Sequence, residues 1–408
     1  MKSHRAFPIA TVSGKAEKAI RAGHPWVFDA EIKHIEGEAE NGALMDVQNE
    51  KGAYLGTGLL SEKSKIRIRI LSTNANDDFS ERFFARRFRY AIDYRISVMW
   101  EDFSCCRLIF GEADGLPGLT VDRYGDILVS QVLSYGMDIR RSMLYEQLVS
   151  QLKAVDIRVK GIFERNDVAI RELEGLKQEK GWYEAAFLPQ PPSAILEICE
   201  NGIRYAVDVE NGQKTGFFLD QKYNRLAVAK LARDRKVLDC FTHTGSFALN
   251  AAKGGAKWVT AVDVSQSALD MAKANAVNNG LDERMDFVCK DVFDLLPELM
   301  ESHADYDFII LDPPAFTKSR KTIRDAQRGY TEINYRAMKL RPRGGFLATC
   351  SCSHFMESSL FVEMLLSAAK DAGRELKLIE ARRQSPDHPT LMNIPETDYL
   401  KFYLFQVI

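Results

Sequence analysis

Cys352 stands in the stretch Gly345-Phe346-Leu347-Ala348-Thr349-Cys350-Ser351-Cys352-Ser353-His354. A glycine turn, a short apolar strand and a Ser-Cys-Ser edge put a small nucleophile at the carboxyl end of a strand. Open α/β sheets bind their ligands at such ends. Upstream, Ile309-Ile310-Leu311-Asp312-Pro313-Pro314 reads as a second strand, ending in an acid and two prolines. Thiol and carboxylate together read as a site built for attack on a nucleobase. Strand alternation puts Cys350 on the same side as Cys352, so Cys350 is a second candidate. The competing reading is that both are small core residues, the common fate of a free cysteine.

A third strand end carries a cofactor signal. Asp239-Cys240-Phe241-Thr242-His243-Thr244-Gly245-Ser246-Phe247 follows the strand Lys236–Asp239, and a helix opens after Gly245. Asp263 ends the next strand, 24 positions after Asp239, where an acid hydrogen-bonds a ribose diol. The loop has Gly245 as its only glycine and no Lys-Ser/Thr pair. That argues against a dinucleotide fingerprint or a phosphate cradle. An acid at the start of the loop suits a cofactor with a positive amine, and Asp291, after the third strand, sits where an adenine amine would be met. Asp239, Thr242, Gly245, Asp263 and Asp291 together point to S-adenosylmethionine rather than NAD or ATP.

The elements that position these residues alternate. From about Ile195, strands at Lys236–Asp239, Trp258–Asp263, Met285–Val288, Tyr306–Leu311, Phe346–Cys350 and Leu400–Val407 are separated by helical patterns, one of them capped by Ser265. This alternation predicts a doubly wound, mostly parallel sheet, hence an α/β fold. Residues 1–74 read as short glycine-punctuated strands closing a small β-barrel, with Ile66–Ile70 as a half-exposed strand bearing a basic face. Phe79–Trp100 reads as a helix whose aromatics and arginines either stack on RNA or form the buried and snorkelling faces of an amphipathic helix; packing is the favoured reading. Residues 101–194 read as a small α+β unit, with a strand at Ile127–Val132 and a helix around Ile139–Leu152. Pro189-Gln190-Pro191-Pro192 is a linker.

Composition narrows the class. The 408-residue chain has an ordinary apolar fraction and a net charge of −2, so bulk charge does not announce nucleic acid. Two stretches are locally basic: Lys63–Arg95 holds nine basic residues against four acidic, and Lys318–Arg343 nine against two. Such patches can hold phosphate on a near-neutral protein. No apolar run is long enough for a membrane span, and the amino terminus lacks a signal-peptide apolar region. Seven scattered cysteines suggest neither a disulfide framework nor a zinc site, so no metal is expected and a reducing cytoplasm fits. Pairing of two copies along a sheet edge is a further expectation.

Several segments carry a wider resemblance: His24-Pro25-Trp26-Val27-Phe28 and the glycine-rich strands through Arg69; Asp114–Asp122; Gln213-Lys214-Thr215-Gly216-Phe217-Phe218-Leu219-Asp220-Gln221; Asp312-Pro313-Pro314; and Ser351-Cys352-Ser353-His354. Through them the whole chain resembles the bacterial PUA-domain class I methyltransferases that make 5-methylcytosine in 23S ribosomal RNA. The resemblance implies a PUA barrel for RNA (residues 1–74), a helical linker (75–100), a small middle domain (101–194) and a class I, Rossmann-like, S-adenosylmethionine-dependent methyltransferase domain (195–408). It also implies a covalent route. Carbon 5 of cytosine is a poor nucleophile until a thiolate adds to carbon 6. In the RNA enzymes the catalytic cysteine lies in Thr-Cys-Ser after the fifth strand; counted from the preceding Gly-Gly, Cys352 falls there, with Ser351 replacing Thr. Asp312 would hold N3 and N4. Phe217, Asp220 and Gln221 would line the cofactor or target pocket, although Asp220 also suits a helix cap. Two-cysteine enzymes of this kind carry Pro-Cys where this chain has Pro313-Pro314, so the second thiol is missing. The base that removes the C5 proton stays open between His354 and a water. Asp312-Pro313-Pro314-Ala315-Phe316 also resembles the motif of exocyclic-amine methyltransferases, which need no thiol. A non-catalytic RNA-binding or ribosome-assembly protein with a methyltransferase fold is the remaining alternative.

Overall fold

The computed structural model describes residues 7–189, 193–317, 322–340 and 343–408. The chain forms two units. The first takes the chain up to Leu196, Val207–Leu219 and Pro386–Thr397; the second takes Glu197–Ala206, Asp220–Ser385 and Asp398–Ile408.

In the first unit, β1 (Ile9–Val12), α1 (Gly14–Arg21), β2 (Trp26–Phe28), β3 (Ile32–Glu36), β4 (Leu44–Asn49), β5 (Tyr54–Leu60) and β6 (Ile66–Ser72) come first. The strands pair in the order β2-β6-β5-β4-β1-β3 over a core that includes Val12, Val27, Met45, Val47 and Ile68. Helix α2 (Glu81–Met99) follows. Then come β7 (Cys105–Phe110), β8 (Leu119–Tyr124), β9 (Ile127–Val132), α3 (Tyr135–Asp138), α4 (Arg141–Lys153), β10 (Gly161–Asn166) and β11 (Glu179–Trp182). These strands form a mixed sheet in the order β11-β10-β9-β8-β7.

The basic face expected on Ile66–Ile70 is corrected by the fold. Arg69 is buried and bonds Glu174 at 2.7 Å, while Arg67 bonds Asp29 at 2.7 Å. Strand alternation showed which residues share a face. It could not show that acids more than thirty positions away neutralise that face. The Arg-rich helix α2 is a packing helix. Phe83, Phe84 and Phe88 are buried, and the fully buried Arg95 forks onto Asp114 at 2.5 and 2.8 Å. A buried pair of this kind costs about 3–5 kcal/mol to break from one side.

In the second unit, β12 (Ile195–Glu200) and β13 (Ile203–Asp208), which begin and end in the first, pair with each other. There follow α5 (Lys222–Leu231), β14 (Lys236–Cys240), α6 (Ser246–Lys253), β15 (Trp258–Asp263), α7 (Gln266–Asn278), β16 (Met285–Cys289), α8 (Val292–Glu301), β17 (Phe308–Leu311), α9 (Ile323–Leu340), β18 (Phe346–Ser351), α10 (Ser358–Ala372), β19 (Leu376–Arg382) and β20 (Lys401–Val407). Among the described residues the strands make one sheet in the order β16-β15-β14-β17-β18-β20-β19. The first five run parallel and β20 runs antiparallel to both its neighbours. Phe308–Leu311 and Val237–Cys240 are wholly buried, as strands covered on both faces must be. The chain winds outward from β14 through β15 to β16, then returns to lay β17 on the other side of β14. That reversal makes the ends of β14 and β17 the switch point at which open sheets bind ligands.

Ser265 caps α7 through its hydroxyl, as its position suggested. Strand β19 escapes the sequence pattern because Lys377, Glu380 and Arg382 mask its alternation; it is an edge strand, where charge guards against unwanted pairing. Gln190, Pro191 and Pro192 of the linker, and Lys318, Arg320, Lys321 and Arg341 of the second basic stretch, lie outside the described residues. On α9, Arg336 bonds Glu332 at 2.6 Å and Arg328 lies 3.6 Å from Asp325, while Arg324 and Lys339 are exposed, as is Arg343 beyond the helix. Among the described residues no helix is long and apolar enough to cross a membrane.

Candidate active site

The loop after β14 is wound tightly. Phe241 (φ 65°), His243 (φ 52°) and Gly245 (φ 83°) all adopt left-handed backbone conformations. Non-glycine residues held there cost about 1–3 kcal/mol each and cluster at functional sites. The loop is tied down by Thr242 N–H donating to the Val262 carbonyl (2.9 Å) and by His243 N–H donating to the Asp263 carboxylate (2.9 Å). Position 245 requires glycine for a second reason. A Cβ there would come within 2.9 Å of the Ala272 side chain on α7.

Asp239, the last residue but one of β14, is fully buried at the start of this loop. One oxygen accepts from the Thr242 hydroxyl (2.5 Å) and the Ala248 N–H (2.9 Å). Its other oxygen has no donor among the described residues. Burial, with Asp312 and Asp263 adding repulsion, pushes its carboxyl up to about 7. A buried carboxylate with one bare oxygen can take a cation or a donor from outside the chain. Asp263 caps the next strand end, accepting from His243 and, at 2.9 Å, from the Ser265 N–H. Asp291 is exposed and accepts from the Phe293 N–H at 2.8 Å as the cap of α8.

The second half of the site lies across the switch point. Register pairs Leu311 of β17 with Thr349 of β18, so Asp312, just past the end of β17, stands level with Cys350 inside β18. Gln221 donates to Asp312 at 2.9 Å, and its amide oxygen accepts from Asn224 at 2.6 Å. Asn224 in turn donates to the Arg383 carbonyl at 3.2 Å. Asp312 is therefore oriented through a chain of amides. Asp220 takes a different role: it accepts from the Tyr399 hydroxyl at 2.6 Å, and its carbonyl accepts from the Ser385 N–H at 2.8 Å. It pins two later segments of the chain to the start of α5. Phe217 belongs to the first unit, where it is buried and its carbonyl accepts from Tyr124 at 3.4 Å.

The structure separates the two cysteines. Cys350 is fully buried inside β18 and interacts with both Gln221 and Asp312. Burial, then the Asp312 charge, hold its thiol well above the ordinary range, which disfavours the thiolate a nucleophile needs. Strand β18 ends at Ser351, so strict alternation does not carry on to Cys352. Cys352 lies beyond the strand and is half-buried. In its ionised form it would act on Tyr330, whose hydroxyl accepts from Ser351 at 3.0 Å, and on Lys401. Phe316 packs on Tyr330 with ring centroids 4.6 Å apart and on Phe293 at 5.9 Å. It is an anchor for the loop after Asp312. His354 is exposed, with its ring against Phe355.

Three residues here were not read from the sequence: Asn224, Tyr330 and Lys401. Asn224 and Tyr330 carry no local signal, since both sit at ordinary inward helix positions. Lys401 does carry one, a lysine opening the apolar run Lys401-Phe402-Tyr403-Leu404-Phe405 on the side its strand buries.

The model of the S-adenosylmethionine-dependent methyltransferase family matches residues 180–406, and that of the PUA-like domain matches residues 10–73. Ribosomal RNA large subunit methyltransferase I of Klebsiella pneumoniae is 38% identical over 404 residues, which cover 98% of this chain and 99% of that protein. The protein of the same name from Aeromonas salmonicida is 41% identical over 395 residues, covering 96% and 97%. Among solved structures, a chain described as a SAM-dependent methyltransferase from Streptococcus mutans superposes with a TM-score of 0.80 over 98% of this chain and 99% of its own, at 22% identity. A methyltransferase complexed with SAH gives a TM-score of 0.81 at 21% identity, covering 98% and 99%. At these identities the two structures share the fold.

Proposed function

This chain belongs to the S-adenosylmethionine-dependent methyltransferase family, in company with PUA-bearing ribosomal RNA large subunit methyltransferases, and on that premise we propose that it methylates carbon 5 of a cytosine in large-subunit (23S) ribosomal RNA. Asp239, with its bare oxygen, suits the cofactor's amine, and Asp263 at the end of β15 suits the ribose. Thr242 and Gly245 shape the loop between them, and Asp291 stands at the next strand end for the adenine. When bound, S-adenosylmethionine supplies an electrophilic methyl and keeps the electron pair of the broken carbon–sulfur bond.

The chain's own residues do the rest. The Cys352 thiolate adds to carbon 6 of the base, forming an S–C6 bond from the sulfur electron pair. The C5=C6 pair shifts to C4=C5 and the C4=N3 pair moves onto N3, which takes a proton held by Asp312. Carbon 5 is now an enamine terminus and accepts the methyl. A base then removes the C5 proton. That C–H pair restores C5=C6, the S–C6 pair returns to Cys352, and the N3 proton returns to Asp312. His354 and a water are the candidates for this base. Every protein group in the scheme comes from one chain. The observation that carries the proposal is that a half-exposed thiol, Cys352, and Asp312 follow the carboxyl ends of adjacent parallel strands, β18 and β17, the latter bordering the switch point. The packing of Phe316 into the Tyr330–Phe293 cluster weighs against the amine-transfer reading, in which that ring would stack on the base.

The product decides between them. Purified protein incubated with large-subunit RNA and S-adenosylmethionine is expected to yield 5-methylcytidine on nucleoside mass spectrometry. N4-methylcytidine would transfer the assignment to the exocyclic-amine route. Absence of any methylated nucleoside, with no S-adenosylmethionine binding in calorimetry, would leave an RNA-binding or assembly role.

The pH dependence of cofactor binding tests Asp239. Its folded value of about 7 lies above the ordinary 3.8. Its contribution to stability is therefore complete below about 3.8 and is lost as pH rises through 7. Pairing with a cationic amine requires the ionised form. S-adenosylmethionine is thus expected to bind more tightly as pH rises towards 7, by up to about tenfold per unit, and to level off above it. Asp239→Asn is expected to bind weakly and without that slope. A wild-type profile flat from pH 5.5 to 8.5 would remove Asp239 as the amine's partner.

A further inference from the structure

Lys401 opens β20, which runs antiparallel to β18, and its register partner is Ser351. Its side chain is buried. Its ammonium donates to two backbone carbonyls, Ser353 at 2.6 Å and Tyr399 at 2.9 Å. No carboxylate lies within ion-pair distance of it among the described residues. Asp398, one of the acids that acts on it from further away, is taken by Arg383 at 3.1 Å. A lysine placed in a core without a paired anion is unusual, because an ammonium loses several kcal/mol of hydration on burial. Apolar replacement would satisfy the packing of β20. A nearby anion that forms during function would explain why the charge is there.

The Cys352–Ser353 turn is where such an anion would form. Lys401 grips the carbonyl of the residue that follows Cys352, and a Cys352 thiolate would be among the charges that act on it. We propose that Lys401 is the positioning residue for the nucleophile: it holds the Ser353 carbonyl so that Cys352 faces the site, and its positive charge favours the Cys352 thiolate over the thiol. The thiol proton leaves to solvent; the lysine stays protonated and forms no bond. Burial lowers the Lys401 ammonium to about 8, opposed by the charges of Asp398, Cys352 and Glu357. Among the described residues these three carry the charges that act on it, from the loop before β20, the turn after β18 and the cap of α10. The ammonium is therefore mostly charged near neutral pH, and its help to the thiolate fades as pH rises past 8.

The proposal rests on Cys352 being the nucleophile, so its test uses a readout that does not depend on catalysis. The rate of Cys352 alkylation by iodoacetamide, followed by peptide mass spectrometry against pH, reports the thiolate directly. Lys401→Gln keeps a donor for the carbonyls and removes the charge; Lys401→Arg keeps the charge. The half-maximal pH of alkylation is expected to rise by about one unit in Lys401→Gln and to stay near the wild-type value in Lys401→Arg. Methyl transfer at pH 7 is expected to fall about tenfold in Lys401→Gln, and raising the pH is expected to restore part of it. An unchanged midpoint in a Lys401→Gln protein that still binds S-adenosylmethionine would overturn the proposal. So would a wild-type midpoint at or above the free-cysteine value of about 8.5, a result that needs no variant to fold. If Cys352→Ala keeps full activity, the nucleophile assignment fails while the alkylation result still stands on its own.

Discussion

Cys352→Ala is expected to abolish methyl transfer, lowering the turnover rate by about four orders of magnitude or more, while S-adenosylmethionine still binds. Without sulfur on carbon 6, carbon 5 of cytosine has no enamine character, and the barrier returns to that of direct attack. The substitution removes one atom from a half-buried turn beyond the end of β18, so the fold loses little. Neighbouring Cys350 cannot stand in, because burial and Asp312 keep its thiol protonated. A companion experiment traps the adduct. RNA carrying 5-fluorocytidine at the target has no C5 proton to give up, so the enzyme is expected to stay covalently attached after methyl transfer. That complex is expected to vanish in Cys352→Ser. An alanine variant that turns over at the wild-type rate would rule out the thiolate route.

Asp312→Asn is expected to lower turnover by about 10²–10⁴-fold, the range lost when a positioned proton-transfer group is removed. Asparagine keeps an oxygen for the Gln221 amide, so the loop retains its local bond. It cannot deliver and recover the N3 proton. The same variant makes a second, independent prediction. In the resting enzyme, before Asp312 takes up the proton it gives to N3, its charge helps to raise the Asp239 carboxyl; with that charge gone, the pH at which cofactor binding levels off is expected to fall below 7. Unchanged turnover would remove Asp312 from the chemistry. An unmoved binding profile alongside lost turnover would show that the two acids are not coupled.

Much of the sheet was legible in advance, because its strands announce themselves. Trp258–Asp263 and the runs that became β14, β17 and β18 are apolar over most of their length, and strands covered on both faces have little other way to be written. The turn after β14 was equally legible: an acid, no phosphate-binding glycine pattern and a second acid one strand later narrow the cofactor class by chemistry alone. Arg69 shows the limit. Its strand was read correctly, its charge was counted, and its conclusion failed because Glu174 sits more than a hundred positions away. Edge strand β19 failed for a different reason: its charged residues protect an open edge and thereby hide the period.

The sequence by itself determined the strand–helix alternation of the parallel part of the sheet, the acids at strand ends, and the presence of two cysteines one residue apart. These depend on local periodicity and on residue chemistry, which neighbours along the chain are enough to set. Only the tertiary structure decided what those residues are worth. It buried Cys350 against Gln221 and Asp312 and left Cys352 beyond the strand, although one residue separates them. It left one oxygen of Asp239 without a donor, and it brought Lys401, some fifty positions downstream, onto the Ser353 carbonyl. Reactivity follows burial, and burial is set by which distant segments pack around a side chain. A strand that returns antiparallel from the end of the chain can change the chemistry of a thiol it never adjoins in sequence.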